Sequence, residues 1–100
     1  MPERKIIWTH RFQIELTDIL TYYKLKNESS VYTVLLYKLI RKEVLLITRH
    51  PEIGKRTEFD DVRALFIRNF TVFYSFSQIE VIILSILDNR RNPDALELKI

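Results

Sequence analysis

Three apolar runs in the last third of the chain constrain its fold more than any other feature. They cover Val62–Ile67, Phe70–Phe76 and Val81–Leu87, and each is rich in β-branched and aromatic side chains. Such runs favour β-strands. The polar gaps between them, at Arg68-Asn69 and around Ser77-Gln78, have the length of hairpin turns. The pattern therefore predicts three consecutive antiparallel strands.

The third run ends in the sequence Asp88-Asn89-Arg90-Arg91-Asn92-Pro93. Two consecutive arginines after a strand place fixed cations at the rim of the sheet, where guanidinium groups can bind a phosphate or an acidic peptide. Arg63, Arg68, Lys55 and Arg56 lie in or just before the same strands. We expect these residues to contribute to a one-sided basic surface. The alternative is that they only keep the sheet soluble and protect its edges.

The first half of the chain predicts a short strand and a helical hairpin. Lys5–Thr9 is a strand candidate, and Thr9 can cap a helix that begins near His10 and runs to about Lys26. A polar break then precedes a second helix, predicted over Ser30–Arg49. The apolar side chains with helical spacing are Phe12, Leu16, Ile19, Leu20 and Tyr23 in the first helix and Tyr32, Leu35, Leu36, Leu39, Ile40, Leu46 and Ile47 in the second.

The second helix has more apolar surface than one core-facing stripe requires. Val31, Val34, Val44 and Leu45 widen its apolar side. This helix therefore either packs on two sides or receives a partner.

A turn over His50–Gly54 separates the helices from the strands. Proline disfavours helical geometry in the residue before it, and Gly54, the only glycine, can take a positive φ angle. The predicted order is β-α-α-β-β-β, an α+β fold with the helical hairpin on one face of a small, mainly antiparallel sheet. Alternation along Phe70–Phe76 predicts that Phe70, Val72, Tyr74 and Phe76 face the helices.

The length and composition predict a single domain over residues 1–100. Its tail, Pro93–Ile100, is expected to be either a short helix or a disordered arm. With 47% hydrophobic residues the chain is not a disordered protein, and no apolar run approaches the about 20 residues of a membrane span. We expect a cytoplasmic protein without a signal peptide. The absence of cysteine excludes thiolate chemistry, and two separated histidines favour no metal, so no cofactor is expected. The formal net charge of +3 is compatible with nucleic-acid binding.

Taken in order, five segments resemble the RelE/ParE family of toxins from type II toxin-antitoxin pairs. They are Lys5–Arg11, His50–Gly54, Val62–Leu65, Phe70–Tyr74 and Asp88–Pro93. The resemblance covers nearly the whole chain. It implies a toxin that arrests growth when free of its antitoxin, a sheet with a concave face, and a hetero-oligomer with that antitoxin.

The resemblance leaves the mode of action open. RelE-like members cleave messenger RNA on the ribosome as endoribonucleases and so inhibit translation, with ribosome and mRNA as partners. ParE-like members poison DNA gyrase without nuclease chemistry. A third alternative is a degenerate toxin that acts only as an antitoxin-binding module.

Cleavage of this type must deprotonate a 2′-hydroxyl, stabilise a phosphorane and protonate the leaving oxygen. The resemblance gives the catalytic candidates as Arg91, Arg90, Arg63 and Tyr74, and the RNA- or phosphate-binding candidates as Lys55, Arg56 and Arg68.

Two positions depart from the nuclease pattern. Thr71 stands where nuclease members have an arginine, and Asp88 stands close to where several have a histidine. Tyr74 also has a structural alternative, because its place on the apolar side of its strand is typical of a core tyrosine.

Overall fold

The computed structural model describes residues 3–91, and it confirms the predicted order of elements with one added strand. The elements are β1 (Lys5–Trp8), α1 (His10–Asn27), α2 (Ser30–Ile47), β2 (Lys55–Arg56), β3 (Arg63–Ile67), β4 (Phe70–Phe76) and β5 (Glu80–Asp88). The added strand is the two-residue β2. The tail at Pro93–Ile100 lies outside the described residues.

All strands belong to one sheet with the order β1-β5-β4-β3-β2. Strands β2 to β5 pair antiparallel, as the hairpin turns predict, whereas β1 pairs parallel with β5. Parallel neighbouring strands cannot be joined by a tight turn. The segment that connects β1 to β5 contains all the other helices and strands. The turn at Arg68-Asn69 is confirmed, with Arg68 at a φ of 53°, as tight hairpins require.

Side-chain caps fix the ends of the helical hairpin. The Thr9 hydroxyl accepts a hydrogen bond from the Phe12 amide (3.2 Å), and the Ser29 hydroxyl accepts one from Val31 (3.2 Å). Glu28 ends α1 in the left-handed conformation, with a φ of 52°. Helix α2 ends two residues earlier than predicted, at Ile47. Within residues 3–91, neither helix is long and apolar enough to cross a membrane.

The hairpin covers one face of the sheet, and the core lies between these two layers. As predicted, Phe70, Val72 and Tyr74 point into it from β4, while Tyr32, Leu35 and Leu46 of α2 remain partly exposed. The remaining buried members of the core are Phe12, Ile19, Tyr23, Leu36, Ile40, Val44, Ile47, Leu65, Ile67, Val81, Ile83 and Ile86.

A β-bulge in β5 changes which of its side chains face the core. Phe73 pairs with Ser85 but Tyr74 pairs with Ile83, so Leu84 is the extra residue. A bulge shifts the alternation of sides by one residue. Consequently Ile83 and Ile86 both face the helices, although an unbroken strand would put them on opposite faces.

Strand β1 stops opposite Ile83, so the rest of β5 has no neighbouring strand on that edge. Thr9, which caps α1, and Glu15 of α1 supply hydrogen-bond partners there. The Thr9 hydroxyl donates to the Ile83 carbonyl (2.6 Å). A Glu15 carboxylate oxygen accepts hydrogen bonds from the Ser85 hydroxyl (2.7 Å) and the Ile86 amide (3.2 Å). Unpaired amides at a sheet edge are costly when they are shielded from water, so these contacts fix α1 against β5.

A buried hydrogen bond joins α1 to the end of β5. The Tyr23 hydroxyl donates to a carboxylate oxygen of Asp88 (2.6 Å), and both residues are buried. The other Asp88 oxygen accepts from the Arg90 amide (3.0 Å). The carboxylate thus ends the strand and anchors the helix.

The prediction that Gly54 takes a positive φ angle is wrong, because its φ is not positive. A Cβ atom at this position would lie 2.6 Å from the Tyr74 hydroxyl oxygen and 2.7 Å from a ring carbon. The Tyr74 hydroxyl accepts from the Gly54 amide (2.8 Å) and donates to the Pro51 carbonyl (2.7 Å). Glycine is required here because a buried tyrosine approaches the backbone closely.

Replacing Tyr23 with phenylalanine tests the bond between α1 and β5. Because a buried carboxylate oxygen loses its donor, we expect Tyr23→Phe to lower the free energy of unfolding by about 1–3 kcal/mol in urea denaturation. The control is Tyr22→Phe, a partly exposed neighbour, with an expected change within about 0.5 kcal/mol. Equal losses in both variants would contradict the anchoring role of the bond.

The same bond predicts a loss of stability at alkaline pH. Burial, and then the hydrogen bond with Asp88, raises the pKa of Tyr23 from 10.0 to about 12. Because the folded pKa is the higher one, the stabilisation is fully present below pH 10 and is lost as the pH rises through about 12. Urea denaturation over this pH range should show a smaller decrease in the free energy of unfolding for Tyr23→Phe than for the wild type. Parallel curves would contradict the prediction.

The close approach at Gly54 predicts that even a methyl group is not tolerated. Because the added Cβ would overlap a buried ring, Gly54→Ala should lower the free energy of unfolding by about 1–3 kcal/mol. Its neighbour Ile53 is exposed, and we expect Ile53→Ala to change it by about 0.5 kcal/mol or less. Thermal denaturation followed by circular dichroism measures both. A stable Gly54→Ala variant would refute the packing argument.

Candidate functional site

The face of the sheet that the helices leave open is the first candidate surface. Cross-strand partners share a face, and Phe66, Thr71 and Leu87 form one such row across three strands. A second row is Ala64, Phe73 and Ser85, which Leu84 extends at the bulge. The open face is therefore mainly apolar. Ala64, Thr71, Phe73 and Ser85 are nevertheless buried, so its exposed part lies at Phe66 and, to a smaller extent, at Leu87.

A loop before β3 partly covers this face. The Thr57 hydroxyl donates to the Val62 carbonyl (2.9 Å) and accepts from the Phe59 amide (3.1 Å), which closes the loop on itself. Phe59, Val62, Phe73 and Leu84 line a hollow of about 380 Å³, with Arg11 among the residues at its boundary. Phe59 and Phe66 remain about half exposed.

Basic side chains lie at the margins of the open face. Among the described residues that point to this side of the strands, the cations are Lys5 on β1 and Lys55 on β2, opposite Glu80 and Ala64. This arrangement offers few partners for the phosphates of a bound RNA, whose recognition depends on Arg and Lys contacts.

Two of the predicted arginines lie near the end of β5. Arg68 lies in the β3–β4 turn beside Asn69, whose backbone carbonyl accepts a hydrogen bond from the Asn89 backbone amide (2.8 Å). With its side-chain oxygen turned toward Arg90, Asn69 accepts from Nε (3.1 Å) and Nη2 (2.9 Å) of that guanidinium. Arg68 and Arg90 therefore flank one asparagine at this rim.

Arg91 turns away from this rim and packs against α1. Its guanidinium lies 4.1 Å from the centre of the Tyr22 ring and forms a salt bridge with Asp18 (3.3 Å). Asp18 and Tyr22 are one helical turn apart, so they hold the cation together. Neither Asp18 nor Tyr22 is among the site residues predicted from the sequence, although their i, i+4 spacing is apparent there.

Arg63, Arg56 and Lys55 lie at the opposite end of β3 from Arg68. Arg63 donates to the Gly54 carbonyl (2.9 Å) and pairs across the sheet with Arg56. The separation of five positions between Arg63 and Arg68 corresponds to about 17 Å along a strand. The structure thus places five of the six predicted basic residues at two ends of the sheet and the sixth, Arg91, against α1.

Tyr74, the remaining catalytic candidate, is fully buried between the turn at Pro51 and the core. Burial raises the pKa of its hydroxyl. Both hydrogen-bonding functions of the hydroxyl are used within the protein, by Gly54 and Pro51. This geometry fits the structural alternative of a core tyrosine.

The two positions that depart from the nuclease pattern are also internal. Thr71 is fully buried, and its hydroxyl donates to the Asn89 side chain (3.0 Å). Asp88 is 2% exposed and bonded to Tyr23. Neither presents a group for proton transfer to a ligand on the open face. Within residues 3–91, no group of three His, Asp or Glu side chains could hold a metal ion.

Comparisons with known proteins identify the family. No curated protein matches the sequence. A solved structure described as "Chromosomal ParDE TA system from P. aeruginosa" is similar, with a TM-score of 0.75 and 19% sequence identity over 84% of this chain and 94% of that one. At this identity the likeness shows the fold. A family model, "ParE toxin of type II toxin-antitoxin system, parDE", matches residues 6–93. Because that match spans most of the sequence, the chain belongs to the ParE toxin family.

Proposed function

We propose that this toxin arrests growth by binding DNA gyrase through the open face of its sheet, without cutting RNA. The observation that carries the proposal is the composition of that face. Its central rows are apolar or hydroxyl-bearing and mostly buried, and its exposed apolar part is formed by Phe59 and Phe66, which are about half exposed. An exposed apolar surface with aromatic residues is typical of a protein-binding site.

The arrangement of cations supports a protein target over an RNA substrate. Arg68 lies about 17 Å from Arg63 along the strand, Arg90 lies beside Asn69 at the Arg68 end, and Arg91 is engaged by Asp18 and Tyr22. A phosphorane needs several charges within hydrogen-bonding reach of one phosphate. Separated cations at the rim suit a different task, which is contact with acidic side chains around an apolar protein interface.

The proton-transfer groups that nuclease chemistry requires are not offered by the candidate residues. Tyr74, Thr71 and Asp88 are buried and hydrogen-bonded within the protein. A general acid or base must come within hydrogen-bonding distance of the reacting atom. The cleavage mode therefore has weaker support than gyrase binding, and the experiment below separates the two.

The partner that controls the toxin is an antitoxin, as the family's toxin-antitoxin organisation implies. Gyrase is a cytoplasmic target, so we propose the cytoplasm as the place of action. We propose that the toxin forms a hetero-oligomer with the antitoxin and arrests growth when it is free of that partner.

Phe66 provides the test, because its exposed ring can be changed without disturbing the core. Since the ring would lie in the interface, Phe66→Ser should raise the toxin concentration for half-maximal inhibition of gyrase supercoiling by about tenfold or more. The assay uses purified gyrase and relaxed plasmid. Ile79→Ser is the matched control: Ile79 is 75% exposed but lies in the β4–β5 turn, and its variant should inhibit like the wild type.

Cleavage of messenger RNA, the competing mode of action, is tested in cells at the onset of growth arrest. We expect DNA damage and intact messages when 5′ ends are mapped. Codon-phased cuts in translated messages would contradict the proposal and establish a ribosome-dependent nuclease. Growth without arrest would instead indicate a degenerate toxin that retains antitoxin binding.

A further inference from the structure

A cavity of about 340 Å³ lies between the two helices and the end of β1. Its apolar lining consists of buried and half-buried side chains, whereas its polar groups come from exposed positions on the helices. The volume is at the lower end of the range for small-molecule sites in proteins. The apolar lining is formed by Trp8, Phe12, Leu16, Leu20 and Ile40, and the polar groups belong to Gln13, Thr17, Tyr37 and Arg41.

The aromatic part of this lining is held in place within the protein. The rings of Trp8 and Phe12 lie 5.6 Å apart at an angle of 37°. The Gln13 side chain donates a hydrogen bond to the Trp8 backbone carbonyl (2.9 Å), which ties the end of β1 to α1. Phe12 is only 1% exposed. A ligand therefore meets a preformed aromatic surface, and little free energy is lost in ordering it.

The charge of the cavity comes from one guanidinium. Among residues 3–91, Arg41 is the only charged residue in the lining, and it forms no salt bridge within that range. Its guanidinium lies 5.8 Å from the centre of the Trp8 ring. A guanidinium can bind a carboxylate through two parallel hydrogen bonds. Arg41 can thus neutralise one negative charge beside an aromatic ring.

We propose that this cavity binds a small aromatic carboxylic acid. The ring of the ligand packs against Trp8 and Phe12, and its carboxylate accepts hydrogen bonds from Arg41. The Trp8 and Phe12 pair favours an aromatic ring over an alkyl chain, because aromatic rings gain from tilted and offset contacts beyond the area that they bury. The hydroxyl groups of Thr17 and Tyr37 can serve a second polar group of the ligand.

Other classes of ligand satisfy fewer of these groups. A nucleotide carries several negative charges, whereas a single cation lines the described part of the cavity. A neutral apolar molecule leaves Arg41 without a partner. A protein helix is about 10 Å wide with its side chains, so only one of its side chains could enter a cavity of this volume. The proposed site depends neither on gyrase as the target nor on the antitoxin.

Trp8 is the only tryptophan of the chain, so its fluorescence reports on the cavity. The probe is 4-phenylbutanoate, whose benzene ring is transparent at the wavelength that excites tryptophan. Titration of the full chain should give a saturable change in Trp8 emission with a Kd of about 1 mM or tighter. The neutral analogue 4-phenylbutanamide should bind about tenfold more weakly, because it offers Arg41 no charge.

Two substitutions test the two parts of the site, and each has a matched control. Arg41→Gln should weaken the binding of 4-phenylbutanoate by about tenfold. Lys42→Gln removes a charge from the next residue, which does not line the cavity, and should bind within about twofold of the wild type. Thr17→Phe should abolish binding, because the added ring occupies the cavity. Ile14→Phe adds the same ring at another exposed position of α1, outside the lining, and should leave binding unchanged.

Two further measurements do not use Trp8 fluorescence. Calorimetry should rank the variants in the same order, and saturating 4-phenylbutanoate should raise the thermal midpoint of the wild type but not that of Thr17→Phe. All four substituted side chains are exposed, so the variants should fold, which circular dichroism verifies.

Three results would overturn the proposed site. One is the absence of saturable binding of the wild type up to about 10 mM 4-phenylbutanoate. Another is equal affinity for the acid and the amide, which would show that Arg41 does not recognise a carboxylate. The third is binding that persists in Thr17→Phe, which would place the probe on another surface, such as the hollow beside Phe59.

Discussion

The uncovered edge of β5 is the constraint on which the arrangement of this protein depends. β1 is too short to pair with the whole of β5, and the bulge at Leu84 interrupts regular pairing on the other side. Thr9 and Glu15 of the α1 region supply the missing hydrogen-bond partners. Because these contacts fix α1 along β5, they also place Tyr23 beside Asp88 and Asp18 beside Arg91.

This arrangement explains why two adjacent arginines have different environments. Arg90 lies over the β3–β4 turn, where Asn69 can accept from it, whereas Arg91 lies against α1. A pair that looks like one phosphate-binding unit in the sequence is divided between two elements. The division removes one cation from the rim, and it favours contact with a protein surface over concentrated charge at a single phosphate.

The two-layer fold gives the sheet two different faces. The helical hairpin packs on one face and forms the core with it, so the proposed contact with the target is confined to the other face, where Phe59 and Phe66 are about half exposed.

The sequence by itself determined the helices, the three hairpin-connected strands and the side of β4 that is buried. These features depend on local periodicity, on capping residues such as Thr9 and Ser29, and on short turns. The resemblance to the toxin family likewise depended on the linear order of segments, and the family match confirmed it.

Only the tertiary structure decided the details of the candidate site. The bulge at Leu84 reversed the alternation along β5, and the need for Gly54 came from the close approach of Tyr74, a residue 20 positions away. The separation of Arg63 from Arg90 and the capture of Arg91 by Asp18 and Tyr22 also depend on contacts between distant segments. The physical reason is that periodicity fixes which way a side chain points within its own element, whereas the distance between two functional groups is set by how the elements pack.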